Sequence, residues 1–112
     1  MITHTQQEVL NKAASDLGTL VPGEALDAVQ QNVLVIAYQN VLAEISKIIA
    51  INDPDEVPAL VFESVAILTA LFAASDFSNS PRDTQAVENE ERRLRYLIAQ
   101  TPTYEPVMAS FF

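Results

Sequence analysis

The residues able to do chemistry in this chain are few and badly spaced for it. Histidine occurs once, as His4, and cysteine is absent. A histidine-based zinc site therefore cannot be completed within one chain, because carboxylates alone remain as partners. His4 is expected to be an exposed N-terminal residue. Asp53, Asp55 and Glu56 form an acidic cluster, but calcium or magnesium needs several oxygen ligands wrapped round one ion, and the segment has no glycine to shape such a loop. Helix capping accounts for the same residues. Nucleotide phosphates need glycine-rich backbone, and the two glycines, Gly18 and Gly23, have no Lys-Ser/Thr pair after them. Serines are present, but no histidine or lysine stands at a spacing that would activate one. Glu63, within the apolar run 57–74, is the one carboxylate expected to be able to sit in an apolar environment, the setting a general acid needs, and it is expected to pair with an arginine or to face a subunit interface. No catalytic residue, cofactor site or metal site is expected, and the chain reads as no enzyme.

Composition points the same way. At 112 residues the chain has the length of one domain with one core. Its charged fraction is 19% against 49% apolar, below the usual quarter for charged residues, so part of the surface is expected to be covered by a partner. Six basic residues face fifteen acidic ones, for a net charge of −9. That balance disfavours nucleic acid and anionic lipid, both of which are held by Lys and Arg displacing counterions. Four of the six cations are Arg82, Arg92, Arg93 and Arg95. Glu88, Glu90 and Glu91 neutralise the last three, favouring a solvated or intersubunit salt-bridge face over a DNA patch. The absence of cysteine is compatible with the cytosol. Residues 1–8 lack the basic and apolar regions of a signal peptide, so no export signal is expected.

Four helices are expected to carry these residues. Thr5-Gln-Gln-Glu8 fits a capping box, Val9, Leu10, Ala13, Ala14 and Leu17 recur at helical spacing, and Gly18 can close the end; helix 1 is predicted over 6–17. After a turn at 19–23, residues 24–49 contain no glycine or proline and predict one long helix, the longest element. It bears two apolar stripes, Leu26, Val29, Val33, Ile36 and Ala37, and then Leu34, Tyr38, Val41, Leu42, Ile45 and Ile49, which need two sets of neighbours. Pro54 breaks the pattern, Asp55 offers a cap, and Pro58 suits a first turn. Fourteen of the eighteen residues over 57–74 are apolar, which describes a central core helix better than a membrane span, since the run is short and carries Glu63. Residues 76–81 read as a loop, and Ser80-Pro81-Arg82-Asp83 as the start of a helix ending near Gln100. On that helix Glu88 with Arg92 and Glu91 with Arg95 stand in the favourable i,i+4 order, and Val87, Leu94, Leu97 and Ile98 supply the buried side. No strand-like alternation is expected before the tail. The domain organisation is a helical bundle over 1–102 and an extended C-terminal arm over 103–112. Tyr104, Val107, Met108, Phe111 and Phe112 of the arm are pocket-filling types, suited equally to the chain's own core and to a partner.

The order of elements resembles the head-to-tail adaptor, or connector, proteins of tailed bacteriophages, particularly the tail accessory adaptors of short-tailed phages. The resemblance covers most of residues 5–100. It rests on the short first helix ending Ala14-Ser-Asp-Leu17-Gly18, the long second helix, the Asp53-Pro-Asp-Glu-Val57 turn, and the helix Leu68-Thr-Ala-Leu-Phe-Ala-Ala74 leading to Asp76-Phe77. The short link between helices 2 and 3, and Ser78 where a glycine is common, depart from the family pattern. The resemblance implies an all-α four-helix bundle forming a homo-oligomeric, typically twelve-fold ring in the virion, beneath the portal protein. A tail or nozzle protein would stand below and DNA would pass through an acidic lumen without sequence-specific binding. It implies assembly in the host cytoplasm, no membrane, and a C-terminal arm reaching the portal or a neighbour. Leu34, Tyr38, Leu42, Arg92 and Arg95, with Tyr104, Val107, Met108, Phe111 and Phe112, are the expected protein-interface residues. A small homo-oligomeric scaffolding or regulatory module that binds a partner protein is the competing expectation.

Overall fold

A computed structural model describes residues 2–18, 25–78 and 81–100. The described residues are mostly helical, in the order β1 (Thr3–His4), α1 (Gln6–Leu17), α2 (Ala28–Ile45), β2 (Val57–Pro58), α3 (Ala59–Ser78) and α4 (Thr84–Gln100). The 103–112 arm, Ser80 and the 19–23 turn lie outside the described residues.

Helix α1 begins and ends where local chemistry dictates. The Thr5 hydroxyl accepts from the Glu8 amide while the Glu8 carboxylate accepts from the Thr5 amide, so two amides with no helical partner are satisfied. Gly18 closes the helix at φ +76. Helix α2 is shorter than its run without glycine or proline suggests. Asp27 and Gln30 form a second capping box, which starts the helix at Ala28, four residues after the expected Glu24. The 18-residue α2 stops at Ile45, and the 20-residue α3 is the longest element instead.

Asp55 does not cap the helix that follows it. Its carboxylate accepts from the Gln6 amide 49 residues away, at 3.1 Å, and so serves the start of α1. The start of α3 is served by the N-terminal segment, whose Ile2 carbonyl accepts from the Ala59 amide. Thr3 and His4 pair antiparallel with Pro58 and Val57. This two-residue ladder, unexpected from the sequence, ties the two helix starts together. Helix α3 runs through Asp76 to Ser78, beyond the expected end at Ala74. Asp83 caps α4, accepting from the Ala86 amide at 3.0 Å, so that helix starts later than the Pro81 position expected for it.

Helices α1, α2 and α4 all pack on α3. Val61, Val65, Ala66, Leu68 and Ala73 of α3 are fully buried against Val9 and Leu10 of α1, Leu34 and Val41 of α2, and Leu94 of α4. The region Ala59–Phe77 meets the length and composition of a membrane span, and half of it is buried inside the chain; a soluble core helix meets the same description. Two buried hydroxyl side chains, Ser64 and Thr69, sit within this helix. Thr69 donates to the Val65 carbonyl at 2.8 Å, whereas the buried Ser64 hydroxyl has no partner.

Candidate functional site

Helix α2 has apolar residues on both sides, and the structure decides which side is inside. Leu34, Ala37, Tyr38, Val41 and Ile45 face the core. Leu34 and Tyr38, expected at a protein interface, are completely buried within the single chain, so a neighbour cannot reach them without opening the fold. Leu42 is half-buried against the same core. Tyr38 also holds the backbone locally, since its hydroxyl donates to the Pro54 carbonyl at 2.7 Å and pins the link between α2 and β2. Burial first, then the carboxylates of Asp55 and Asp53, push its phenol up to about 12.

The outward side of α2 carries the other stripe. Val29, Val33, Ile36, Asn40 and Ala43 follow at spacings of three and four and so share one face. Val29 is 73% exposed and Ile36 49%. No charged residue occurs over residues 28–43, about 24 Å of helix at 1.5 Å per residue; Asn32, Gln39 and Asn40 supply its exposed polar groups. In a chain of net charge −9, this face therefore combines two exposed aliphatic side chains with an absence of charge.

A second apolar surface lies between α1 and α3. It is a groove of about 280 Å³ whose apolar walls include Leu17, Ile67, Leu71 and Ala74. Its lining carboxylates, Asp16 and Glu63, are both bound to Lys12, at 3.0 and 3.7 Å. Glu63 thus pairs with a lysine of its own chain instead of the arginine expected for it, and its carboxylate is exposed. The neighbouring Asp16 carboxylate, followed by Glu63, raises the Lys12 ammonium above its ordinary range.

The charged face of α4 differs from expectation. Glu91 turns inward, 7% exposed, and meets Lys47 at 3.5 Å instead of pairing with Arg95. Lys47 also bonds Glu44 at 3.0 Å, and Glu44 and Glu91 together raise its pKa. Among the described residues no ion pair joins Glu88 to Arg92; the close arginine pair is Arg93 with Glu90, at 3.2 Å. Arg92 and Arg95 are exposed, consistent with the solvated face but assigning no partner to them. Arg82 lies over the Phe72 ring at 4.0 Å, a cation–π contact that covers an aromatic edge of the core.

The residues whose types could do chemistry have structural settings. His4 stacks on Phe62 with ring centroids 4.0 Å apart and meets Glu8 at 3.1 Å, so it is a packed residue of β1 and not a free terminal one. Backbone bonding from Thr5, then the His4 contact, holds the Glu8 carboxyl below its usual range. Asp53 accepts from the Asp55 amide at 2.9 Å, part of a turn. Among the described residues no three His, Asp or Glu side chains gather as a metal site. Tyr104, Val107, Met108, Phe111 and Phe112 lie outside the described residues.

Comparison of the chain with protein-family models, with curated proteins and with solved structures finds no match.

Proposed function

We propose that this chain is a non-enzymatic structural adaptor that works by assembling copies of itself into a ring. In this reading it is a four-helix bundle with an extended C-terminal arm. The ring sits at the head-tail junction of a phage virion, attached to a portal protein, and offers a platform for a tail or nozzle protein while DNA passes through the lumen. The carrying observation is the outer face of α2, where Val29 and Ile36 stand exposed on a helix without charge over residues 28–43. Like-charged chains repel, and a neutral apolar face is where they can meet without placing carboxylates against each other. This moves the expected contact from Leu34 and Tyr38 to the opposite side of the same helix. The placement at a phage neck rests on the resemblance carried by Ala14–Gly18, Asp53–Val57 and Leu68–Phe77, and the net charge of −9 suits a lumen that DNA traverses without adhering.

Imaging the full chain mixed with phage portal rings tests the placement. A ring of this chain stacked on the portal is the expected result. Failure to associate with any portal ring, together with a free chain that stops at a dimer, would instead favour a small scaffolding or regulatory module.

A further inference from the structure

We infer that in the free chain the C-terminal arm lies along the groove between α1 and α3 of its own molecule. This goes beyond the proposed function and does not rest on the placement at a phage neck.

The groove belongs to a strip of α3 that begins where α4 ends. Leu60, Glu63, Ile67, Leu71 and Ala74 follow at spacings of three and four and so share one face of α3. Leu60, 46% exposed, opens the strip, and the apolar walls of the groove, about 280 Å³ in volume, continue it. Five residues separate Ser78 of α3 from Thr84 of α4. Arg82 lies over the Phe72 ring, and Val87 lines the same recess as Phe72, so α4 folds back along α3. Its 17 residues cover about 25 Å, which brings Gln100 level with the first turns of α3. Residues 101–112 follow, outside the described ones. The strip from Leu60 to Ala74 is about 21 Å long at 1.5 Å per residue, whereas the arm spans up to roughly 40 Å when extended. It therefore reaches the whole strip.

Area, composition and tethering select this occupant. With a helix about 10 Å wide, the strip offers roughly 200 Å², well below the ~800 Å² per partner of a stable complex. That is too little for a separate folded protein and suits a short segment. Between Tyr104 and Phe112 five residues are large and apolar, and Glu105 is the one charged side chain. The carboxylates lining the groove, Asp16 and Glu63, are held by Lys12, so the arm meets no unpaired cluster of like charge. A short flexible tether holds the arm at about millimolar local concentration, so a second copy at micromolar concentration is disfavoured roughly 1000-fold. The second copy also brings a net charge of −9 against its like.

The absence of cysteine lets cross-linking read this arrangement in the full-length chain without background. Leu71→Cys is combined in turn with Val107→Cys, Met108→Cys and Phe111→Cys, and each double variant is treated with a short thiol cross-linker at high dilution. The expected result is a link within one chain, formed at a rate independent of protein concentration. It should form many times faster than a link from the same arm cysteines to Ile36→Cys on the outer face of α2. Ala74→Cys, at the far end of the groove, replaces Leu71→Cys if the latter disturbs folding. Adding Phe111→Ala and Phe112→Ala to the chain with Leu71→Cys and Met108→Cys should lower the ratio of docked to free arm by about 10-fold or more, as expected for loss of a buried aromatic side chain. An unchanged ratio would overturn the inference. Equal rates to Leu71→Cys and Ile36→Cys would overturn it by showing an undocked arm, and a faster link to Ile36→Cys would place the arm on α2 instead. Links that form only between chains and rise with concentration would overturn it in favour of an arm seated on a neighbour.

Discussion

Replacing Tyr38 with phenylalanine should produce a stability change whose sign reverses with pH. At neutral pH the substitution deletes the 2.7 Å bond from the buried hydroxyl to the Pro54 carbonyl and leaves the ring's packing in place. A net loss of about 1 kcal/mol follows, within the roughly 0.5–1.5 usual for such a bond. At high pH the wild type carries an extra burden. The folded-state phenol is pushed from 10.0 up to about 12 by burial and by Asp55 and Asp53, so the unfolded chain ionises first. A group raised on folding stabilises fully below its unfolded pKa and loses that contribution as pH rises to the folded value. The wild type should therefore lose about 1.4 kcal/mol per pH unit across this window, on the order of 3 kcal/mol in all. Phenylalanine does not ionise, so the two stability curves should cross near pH ~11, where the accumulated loss equals the missing bond. Lys12 and Lys47, also raised, lose stabilisation in the same alkaline range, but they are common to both proteins and cancel in the difference. Denaturant unfolding of the two proteins at a series of pH values measures that difference directly. A difference that stays constant from neutral pH into the alkaline window would refute the reasoning.

Three further substitutions test local structure by thermal or denaturant unfolding. Thr5→Ala removes half of the α1 capping box and should cost about 1 kcal/mol, whereas an unchanged midpoint would mean the cap contributes nothing. Gly18→Ala meets no neighbouring atom within 4 Å, so its whole cost should come from the left-handed backbone, about 1–2 kcal/mol. Ser64→Ala removes a buried hydroxyl without a partner and should leave stability unchanged or raise it by up to about 1 kcal/mol; a clear loss would mean that the hydroxyl has a partner after all.

The parts of the fold that were legible in the sequence are those with local causes. The bounds of α1 follow from Thr5, Glu8 and Gly18, all within a turn of the helix they delimit. The start of α2 was equally local, in Asp27 with Gln30, but absence of glycine and proline is weaker evidence of helix than a capping box, and it carried the predicted start too far back. Non-local pairings were invisible. Nothing near Asp55 signals that its partner is Gln6, and strands of two residues such as β1 and β2 are too short for alternation to show. The same limit governed the candidate interface. Periodicity finds two apolar stripes on α2 but groups Ala37 with Val29 and Ile36, and two stripes give no direction; only packing against α3 shows that Leu34, Ala37 and Tyr38 are inside while Val29 and Ile36 are out. Glu91 shows a related limit: its spacing to Arg95 is favourable, but its position on α4 brings it to Lys47 beyond the end of α2.

Mass measurement in solution of the full chain beside its Ile36→Asp variant, over a range of concentrations, decides whether copies meet through the outer face of α2. Self-assembly through that face predicts a concentration-dependent species larger than a dimer for the wild type. The variant should retain its helical content and remain monomeric, because a carboxylate on the 49% exposed Ile36 position leaves the core untouched but must be desolvated at the interface. Equal masses for the two proteins at every concentration would contradict it.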